Sequence, residues 1–219
     1  MSTKVIRAAL IACLLPLILC ASLQLILLPQ ITQFWVNKYA DVTNSSVSKE
    51  ELLRAADAGL RFVSGGPDNM PRGDDYRTSF DAEAISHMYD VRAVFTSVRI
   101  LAMILAAVIL VLGSVLVNRA QYKALGQALS WAATLTLVLV LALTVFGWLN
   151  FDALFILMHQ ILFEEGTWSF QYNSLLITTY PFDFWIAMAA SWAFVLVLIC
   201  VVALLIGQRL KSAKSIKQT

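Results

Sequence analysis

The sequence predicts an all-helical, polytopic integral membrane protein with four transmembrane helices and both termini in the cytoplasm. Of its 219 residues, 59% are hydrophobic and 14% are charged, and the mean hydropathy is +0.75. This balance lies outside the range of soluble domains. A helix crosses the bilayer core with about 20 apolar residues, and four segments are long enough: 8–28, 93–117, 129–149 and 184–206. We expect one membrane domain over 1–219, with outer segments at 29–92 and 150–183.

Charge distribution gives the orientation. All fourteen acidic residues lie in the two outer segments. The other three segments hold only basic charges: Lys4 and Arg7, then Arg119 and Lys123, then Arg209, Lys211, Lys214 and Lys217. Because positive residues remain in the cytoplasm, both termini are predicted to lie there. The seven basic residues of the first outer segment do not oppose this, since long translocated segments largely escape the rule.

The first span also follows positive charges, as a signal peptide does. It is long enough to span, however, and no small-residue cleavage site follows it. Cys20 is preceded by Leu19, where a lipoprotein signal would need a small residue. The three cysteines all lie within predicted spans, so we expect no outer disulfide and exclude a membrane thiol oxidoreductase: Cys13, Cys20 and Cys200.

The first outer segment contains one clear helix. Ser48 and Glu51 form a capping box, and residues 65–67, Gly-Gly-Pro, end the element. Apolar residues follow the cap at helical spacing: Leu52, Leu53, Ala56, Leu60 and Val63. About sixty residues can hardly build a core alone, so this helix is expected to lie on the membrane surface or to cap the helix bundle. Residues 68–76 are predicted to form an irregular polar loop.

A further helix is predicted to start at Asp81 and to run into the second span, because no Gly or Pro interrupts 81–112. On its leading turns Glu83, His87 and Asp90 are spaced by four and three residues. They therefore share a face, and a carboxylate can reach the imidazole. Arg92 follows at the level of the phospholipid headgroups.

The second outer segment is apolar for a connection. We expect it to continue the third span as a helix through His159 and Phe163, and then to turn at 164–166. After the turn, aromatic residues alternate as in a short extended piece of the interfacial belt: Trp168, Phe170 and Tyr172. Residues 180–181, Tyr-Pro, mark the entry to the fourth span.

The chain has two histidines, His87 and His159, and both are predicted to lie on helices at the outer face. Each can be an interfacial hydrogen-bonding residue, or the pair can form one functional site. Three kinds of site remain open: a bis-histidine haem, a zinc site completed by Glu83, Asp90 or Glu164, and an acyl-transfer site in which an imidazole carries a proton. A non-enzymatic membrane protein, or one that binds haem or quinone, is the alternative to an enzyme.

Two runs around the histidines carry a family resemblance. The first is Glu83-Ala-Ile-Ser-His87-Met-Tyr-Asp90-Val-Arg92. The second is Phe151-Asp-Ala-Leu-Phe155-Ile-Leu-Met-His159-Gln-Ile-Leu-Phe163-Glu-Glu-Gly166-Thr-Trp168-Ser-Phe170, and Tyr-Pro181-Phe-Asp-Phe-Trp185 follows it. Together with the four spans and the loop sizes, they resemble the bacterial lipoprotein intramolecular transacylase (Lit) family over essentially the whole chain.

The resemblance implies a membrane acyltransferase. An acyl chain would move from the sn-2 oxygen of the diacylglyceryl group on a lipoprotein's N-terminal cysteine to the α-amine of that cysteine, giving the lyso-form lipoprotein. On this interpretation His87 is the base, and His159 polarises the carbonyl, holds the oxyanion or positions the amine. Glu83 or Asp90 would orient the ring of His87 unless they are merely solvated. Arg92 would stabilise the oxyanion or anchor the helix to phosphates.

The same interpretation gives the surroundings of the site. The aromatic residues Trp168, Phe170 and Tyr172 would form the acyl-chain wall, or else an ordinary interfacial belt. The expected partners are diacylglyceryl-modified lipoproteins and membrane lipids, without nucleic acid, and the chain is expected to be a monomer. Neither a cofactor nor a metal is expected. The predicted location is the bacterial cytoplasmic membrane, with the site near the outer leaflet.

Overall fold

The described part of the chain is helical, without strands in residues 1–66 and 80–212 of this computed structural model. Pro67, the predicted loop at 68–76, Lys214 and Lys217 lie outside these ranges. The helices within them are α1 (Thr3–Ile26), α2 (Pro29–Tyr39), α3 (Lys49–Val63), α4 (Ala82–Asn118), α5 (Tyr122–Leu149), α6 (Phe151–Leu162), α7 (Leu175–Thr179) and α8 (Phe182–Ser212).

Four of these helices, α1, α4, α5 and α8, are long and apolar enough to cross a membrane. This confirms the prediction of four spans. Helix α4 also begins where the sequence predicts, because Asp81 caps it: its Oδ1 accepts a hydrogen bond of 2.7 Å from the backbone N–H of Ala84. The helix then runs without interruption for 37 residues.

The chain divides into two compact units, and the prediction of a single membrane domain stays a prediction. The first unit comprises 1–23, 98–145 and the part of the chain from Ala193. Small residues let its helices approach closely: a Cβ atom on Gly126 of α5 would lie 2.5 Å from the carbonyl oxygen of Gly207 in α8. Its core combines apolar residues of α1, α4 and α5: Ile6, Leu10, Leu14, Leu116, Ala124, Ala128 and Ala132.

The second unit comprises Gln24–Ser97 and Phe146–Trp192, and it contains the predicted helix α3. The capping box is present: the Ser48 hydroxyl accepts from the Glu51 N–H, and the Glu51 carboxylate accepts from the Ser48 N–H. At the other end Gly65 adopts φ +92°, and the Gly66 N–H donates to the carbonyl of Arg61. A left-handed residue of this kind ends many helices, and glycine adopts it without steric cost.

Helix α3 packs on α2 and α7, two helices that the sequence analysis did not predict. Pro29 at the first turn is the sequence signal for α2, and Ser174 caps α7 through the Ile177 N–H. The hydroxyl of Tyr180, the residue after α7, donates to the Ala56 carbonyl at 3.2 Å. The apolar side of α3 therefore packs against the short helices α2 and α7.

One local prediction for the second outer segment was wrong. Helix α5 ends at Leu149, and Asn150 (φ −158°, ψ 86°) starts a separate helix, because its side chain accepts the Ala153 N–H at 3.0 Å. The predicted unbroken continuation of the third span therefore stops at this cap, although the chain is helical again through Leu162. Residues 169–171 have no regular secondary structure, and turns at Trp168 and Tyr172 flank them, so the short extended piece stays a prediction.

Candidate active site

The structure brings His87 and His159 together in the second unit. Their ring centroids lie 6.1 Å apart, and the ring planes differ by 20°. Both side chains are buried, with 8% and 7% of their surface exposed. Helix α4 supplies His87 from its second turn, and α6 supplies His159 from its last. The two histidines are therefore neighbours, as the shared-site interpretation expects.

Helix α6 and the residue after it place phenylalanine rings beside this pair. Phe155 and His159 are one helical turn apart and share a face of α6, and Phe163 follows the helix directly. The ring of Phe155 lies 4.1 Å from that of His159, and the ring of Phe163 lies 4.8 Å from that of His87. Sequence analysis did not assign Phe155 or Phe163 to the site, although their spacing from His159 was the signal that could have identified them.

The turn predicted at 164–166 carries two further rings back onto the histidines. Gly166 adopts φ +86°, and both the N–H and the hydroxyl of Thr167 donate to the Glu164 carbonyl. After this reversal Trp168 lies 4.9 Å from the His159 ring, and Phe170 lies 5.5 Å from the His87 ring. The Gly-Thr-Trp sequence thus positions an aromatic cover over the pair.

His159 is held in one tautomer. Its Nδ1 lies 2.8 Å from the Phe155 carbonyl oxygen, which can only accept, so Nδ1 carries the hydrogen and Nε2 of the neutral ring carries the lone pair. Burial lowers the pKa of His159, and the bond to Phe155 partly opposes that shift. The neutral ring therefore presents an acceptor at Nε2.

Two polar atoms of the site are buried without a hydrogen-bond partner among the described residues: Nδ1 of His87 and Nε1 of Trp168. A buried polar group left unpaired costs about 1–3 kcal/mol, so such atoms in a native structure call for an explanation. Both belong to the ring cluster around His159. A polar substrate group is a partner that would satisfy them.

The predicted supporting residues lie farther out. Glu83 and Asp90 are exposed, and neither pairs with Nδ1 of His87. The Arg92 guanidinium lies 4.7 Å from the Phe62 ring centroid and donates to the Gly66 carbonyl, which links α4 to the end of α3. Tyr172 is 73% exposed, so the histidines have Trp168 and Phe170 beside them but not this third predicted aromatic.

No three His, Cys, Asp or Glu side chains cluster with the geometry of a metal site within residues 1–66 and 80–212. The ring and hydrogen-bond contacts of the two histidines are with aromatic rings and a backbone carbonyl. This arrangement can hold an apolar chain next to an imidazole, and it can move a proton between polar atoms kept away from water.

The family model for the lipoprotein intramolecular transacylase Lit matches residues 8–185. The chain belongs to the Lit family. This confirms the resemblance that the sequence around the two histidines carries. The all-helical membrane fold agrees with it, as the solved structures of the family show.

Three solved structures are similar to this family member. The membrane-integral Lit from Bacillus cereus matches with a TM-score of 0.80 at 17% identity, over 95% of both chains. Two variants of that protein, in which a histidine is replaced by arginine or alanine, match with TM-scores of 0.72 and 0.73 at 16% identity. They cover 95% of this chain and 91% and 93% of the variants. At such identities the likeness shows the fold alone.

An uncharacterised protein of Aquifex aeolicus is 28% identical over 147 residues. The match covers 64% of this chain and 63% of that protein's length.

Proposed function

We propose that this chain transfers an acyl chain within a lipoprotein, as the name of its family describes. The α-amine of an N-terminal cysteine attacks the sn-2 ester of the diacylglyceryl group on the same cysteine, and the glycerol oxygen leaves. The product is the lyso-form lipoprotein. The observation that carries this proposal is the buried, stacked pair of His87 and His159 inside a ring of aromatic side chains, in a chain of the Lit family.

The reaction needs little beyond positioning and proton transfer. The donor ester and the acceptor amine belong to one substrate molecule, so holding them together can supply about 7 to 11 kcal/mol of the barrier. The rings of Phe163 and Phe170 beside His87 suit the apolar acyl chain. Aromatic rings around the reacting groups also keep water from competing with the amine for the ester.

His87 is the proposed proton carrier. The α-amine has an ordinary pKa of about 7.7 to 8.0, so a base must free it or remove its proton from the adduct. The imidazole of His87 takes this proton and returns it to the departing glycerol oxygen, which completes one acid and base cycle. Nδ1 of His87 is buried and has no partner in the part of the chain that the structure describes, which fits a ring that finds its partner in the substrate.

His159 is proposed to position the amine. Because its Nδ1–H is used by the Phe155 carbonyl, the neutral ring offers only the acceptor at Nε2. An acceptor beside His87 can hold an amine N–H and direct the nitrogen lone pair at the ester. Of the roles that the sequence left open, this one agrees best with the tautomer.

The substrates are proposed to be diacylglyceryl-modified lipoproteins of the bacterial cytoplasmic membrane, processed by a monomer near the outer leaflet. Three of the five non-membrane segments have no acidic residues, which supports an orientation with these three segments in the cytoplasm and the two segments that carry the histidines outside.

Arg92 is proposed to position α3 against α4, since its guanidinium contacts Phe62 and the Gly66 carbonyl.

Replacing the proposed base tests the function. We expect His87→Ala to lower the conversion of a synthetic diacylglyceryl lipopeptide by about 100-fold or more, the usual contribution of a general acid and base. Mass spectrometry of the lipopeptide distinguishes the lyso-form from its isomer through the N-acylated fragment. Ser86→Ala changes an exposed neighbour on α4 and should convert the substrate at the rate of the unchanged chain.

Two outcomes would contradict the proposal at different points. Unchanged conversion by His87→Ala would remove His87 from its role. Failure of the unchanged chain to form any N-acyl product would overturn the function itself. Thermal unfolding in detergent confirms that each variant is folded.

A further inference from the structure

The indole N–H of Trp168 is a hydrogen-bond donor without a partner at the histidine pair. Its Nε1 is buried and makes no hydrogen bond within the described residues, and its ring lies 4.9 Å from that of His159. A side chain that only packs at this position would need no N–H, because an apolar ring avoids the cost of an unpaired donor. The turn at Gly166 (φ +86°) precedes this ring, which lies beside His159.

The proposed reaction needs such a donor. When the amine attacks the ester, a C–N bond forms and the carbonyl electron pair moves to oxygen. A hydrogen bond then stabilises the negative oxygen until its electron pair re-forms the carbonyl and the C–O bond to glycerol breaks. The amine proton passes to the glycerol oxygen, so atoms and charge balance without any co-reactant. A donor aimed at this oxygen stabilises the transition state more than the ground state.

The other side-chain donors near the pair are already used. The Nδ1–H of His159 donates to the Phe155 carbonyl, and His87 carries the moving proton in the proposed function. The Arg92 guanidinium lies on Phe62 and donates to the Gly66 carbonyl. Trp168 alone among these four side chains combines a buried donor with contact to the histidine pair and no assigned acceptor.

We propose that the Trp168 indole N–H donates a hydrogen bond to the carbonyl oxygen of the donor ester as it becomes the oxyanion. This inference rests on the proposed function and makes Trp168 a catalytic residue. It goes beyond the acyl-chain wall that the sequence predicts for this side chain, because the wall uses the face of the ring and the oxyanion uses its N–H.

An isostere that lacks only the donor separates the two roles. In 3-benzothienylalanine, sulfur replaces the indole N–H while the two fused rings remain. With this residue at position 168, we expect kcat for the diacylglyceryl lipopeptide to fall by about 100-fold or more, the effect of losing one oxyanion donor. KM should stay within about twofold, because the ground state barely uses the bond. Trp168→Phe should show the same loss of kcat.

The matched control places the same isostere at position 148. Trp148 is 89% exposed, and kcat should be unchanged there. An unchanged kcat with the isostere at position 168, or a rise in KM alone, would overturn the inference and leave Trp168 as an apolar wall. Those results would leave the proposed function intact, since the function fails only if the unchanged chain gives no N-acyl product.

Discussion

At the scale of single residues, a backbone carbonyl determines what His159 can do. An imidazole has two nitrogen atoms of interchangeable role until a neighbour selects one tautomer. The Phe155 carbonyl, one helical turn earlier, accepts from Nδ1 at 2.8 Å and leaves Nε2 as the acceptor. The hydrogen bond to a carbonyl four residues earlier therefore fixes both the tautomer and the orientation of the His159 ring.

Burial of His159 predicts how stability depends on pH. Burial lowers the pKa of His159 in the folded chain, so the unfolded chain takes up this proton first as the pH falls through about 6.5. The stabilisation that the buried, neutral His159 ring gives the folded chain is therefore complete above that pH and is lost as the pH falls below it. We expect the melting temperature in detergent to be lower near pH 5 than near pH 7.5.

The His159→Phe variant is the comparison for that measurement. It keeps an aromatic ring in the cluster but has no proton to bind, so its melting temperature should fall less over the same pH interval. An equal fall in both proteins would show that other groups cause the pH dependence.

At the scale of elements, helix α3 packs closely in the second unit because Gly59 has no side chain. A Cβ atom on Gly59 would lie 2.8 Å from the Tyr180 hydroxyl and 3.2 Å from Cε of Met88. Tyr180 is buried, and burial together with the nearby Asp57 raises the pKa of its hydroxyl, so it remains a donor to the Ala56 carbonyl. Helix α3 therefore contacts both the end of α7 and the start of α4 through one small residue.

This contact predicts the effect of one added methyl group. Gly59→Ala should lower the free energy of unfolding by about 1–3 kcal/mol, as overpacking usually does. Gly113 in α4 is the control, since a Cβ atom there meets nothing within 4 Å. Gly113→Ala should leave stability unchanged or raise it by up to about 1 kcal/mol, because alanine favours helix. Equal destabilisation by both substitutions, measured by thermal unfolding, would contradict the packing explanation.

The break at Asn150 is also an effect at the scale of elements. The cap at Asn150 begins α6 as a separate helix. The face of α6 that carries Phe155 and His159 is therefore set by this cap and by packing within the second unit.

At the scale of the whole molecule, charge predicts the orientation of the chain. The acid-free segments before α1, between α4 and α5, and at the end of α8 should all face the cytoplasm. In a background without native cysteines, Asn44→Cys should react with an impermeant maleimide in intact cells. Lys123→Cys and Lys211→Cys should react only after permeabilisation. Labelling of Lys123→Cys in intact cells would reverse the predicted topology.

The sequence by itself determined the four spans, the cap of α3, the start of α4 at Asp81 and the turn at Gly166. Each of these depends on residues within a few positions of one another: a run of apolar side chains must satisfy the bilayer, a capping box pairs residues three apart, and a glycine accepts a left-handed turn. The family resemblance was likewise visible in the two runs around the histidines, and the match over 8–185 confirms it.

Only the tertiary structure decided which side chains meet. It placed His87 and His159 at 6.1 Å, put Phe155 and Phe163 beside them, left Tyr172 exposed and directed Arg92 to the end of α3. It also showed that the Trp168 N–H is buried and has no hydrogen-bond partner among residues 1–66 and 80–212. Such pairings depend on the rotation of separate helices and on how their side chains fill the space between them. Local sequence gives the spacing of Phe155 and Phe163 from His159, but it does not specify which residues of other helices they meet, because His87 lies far away along the chain.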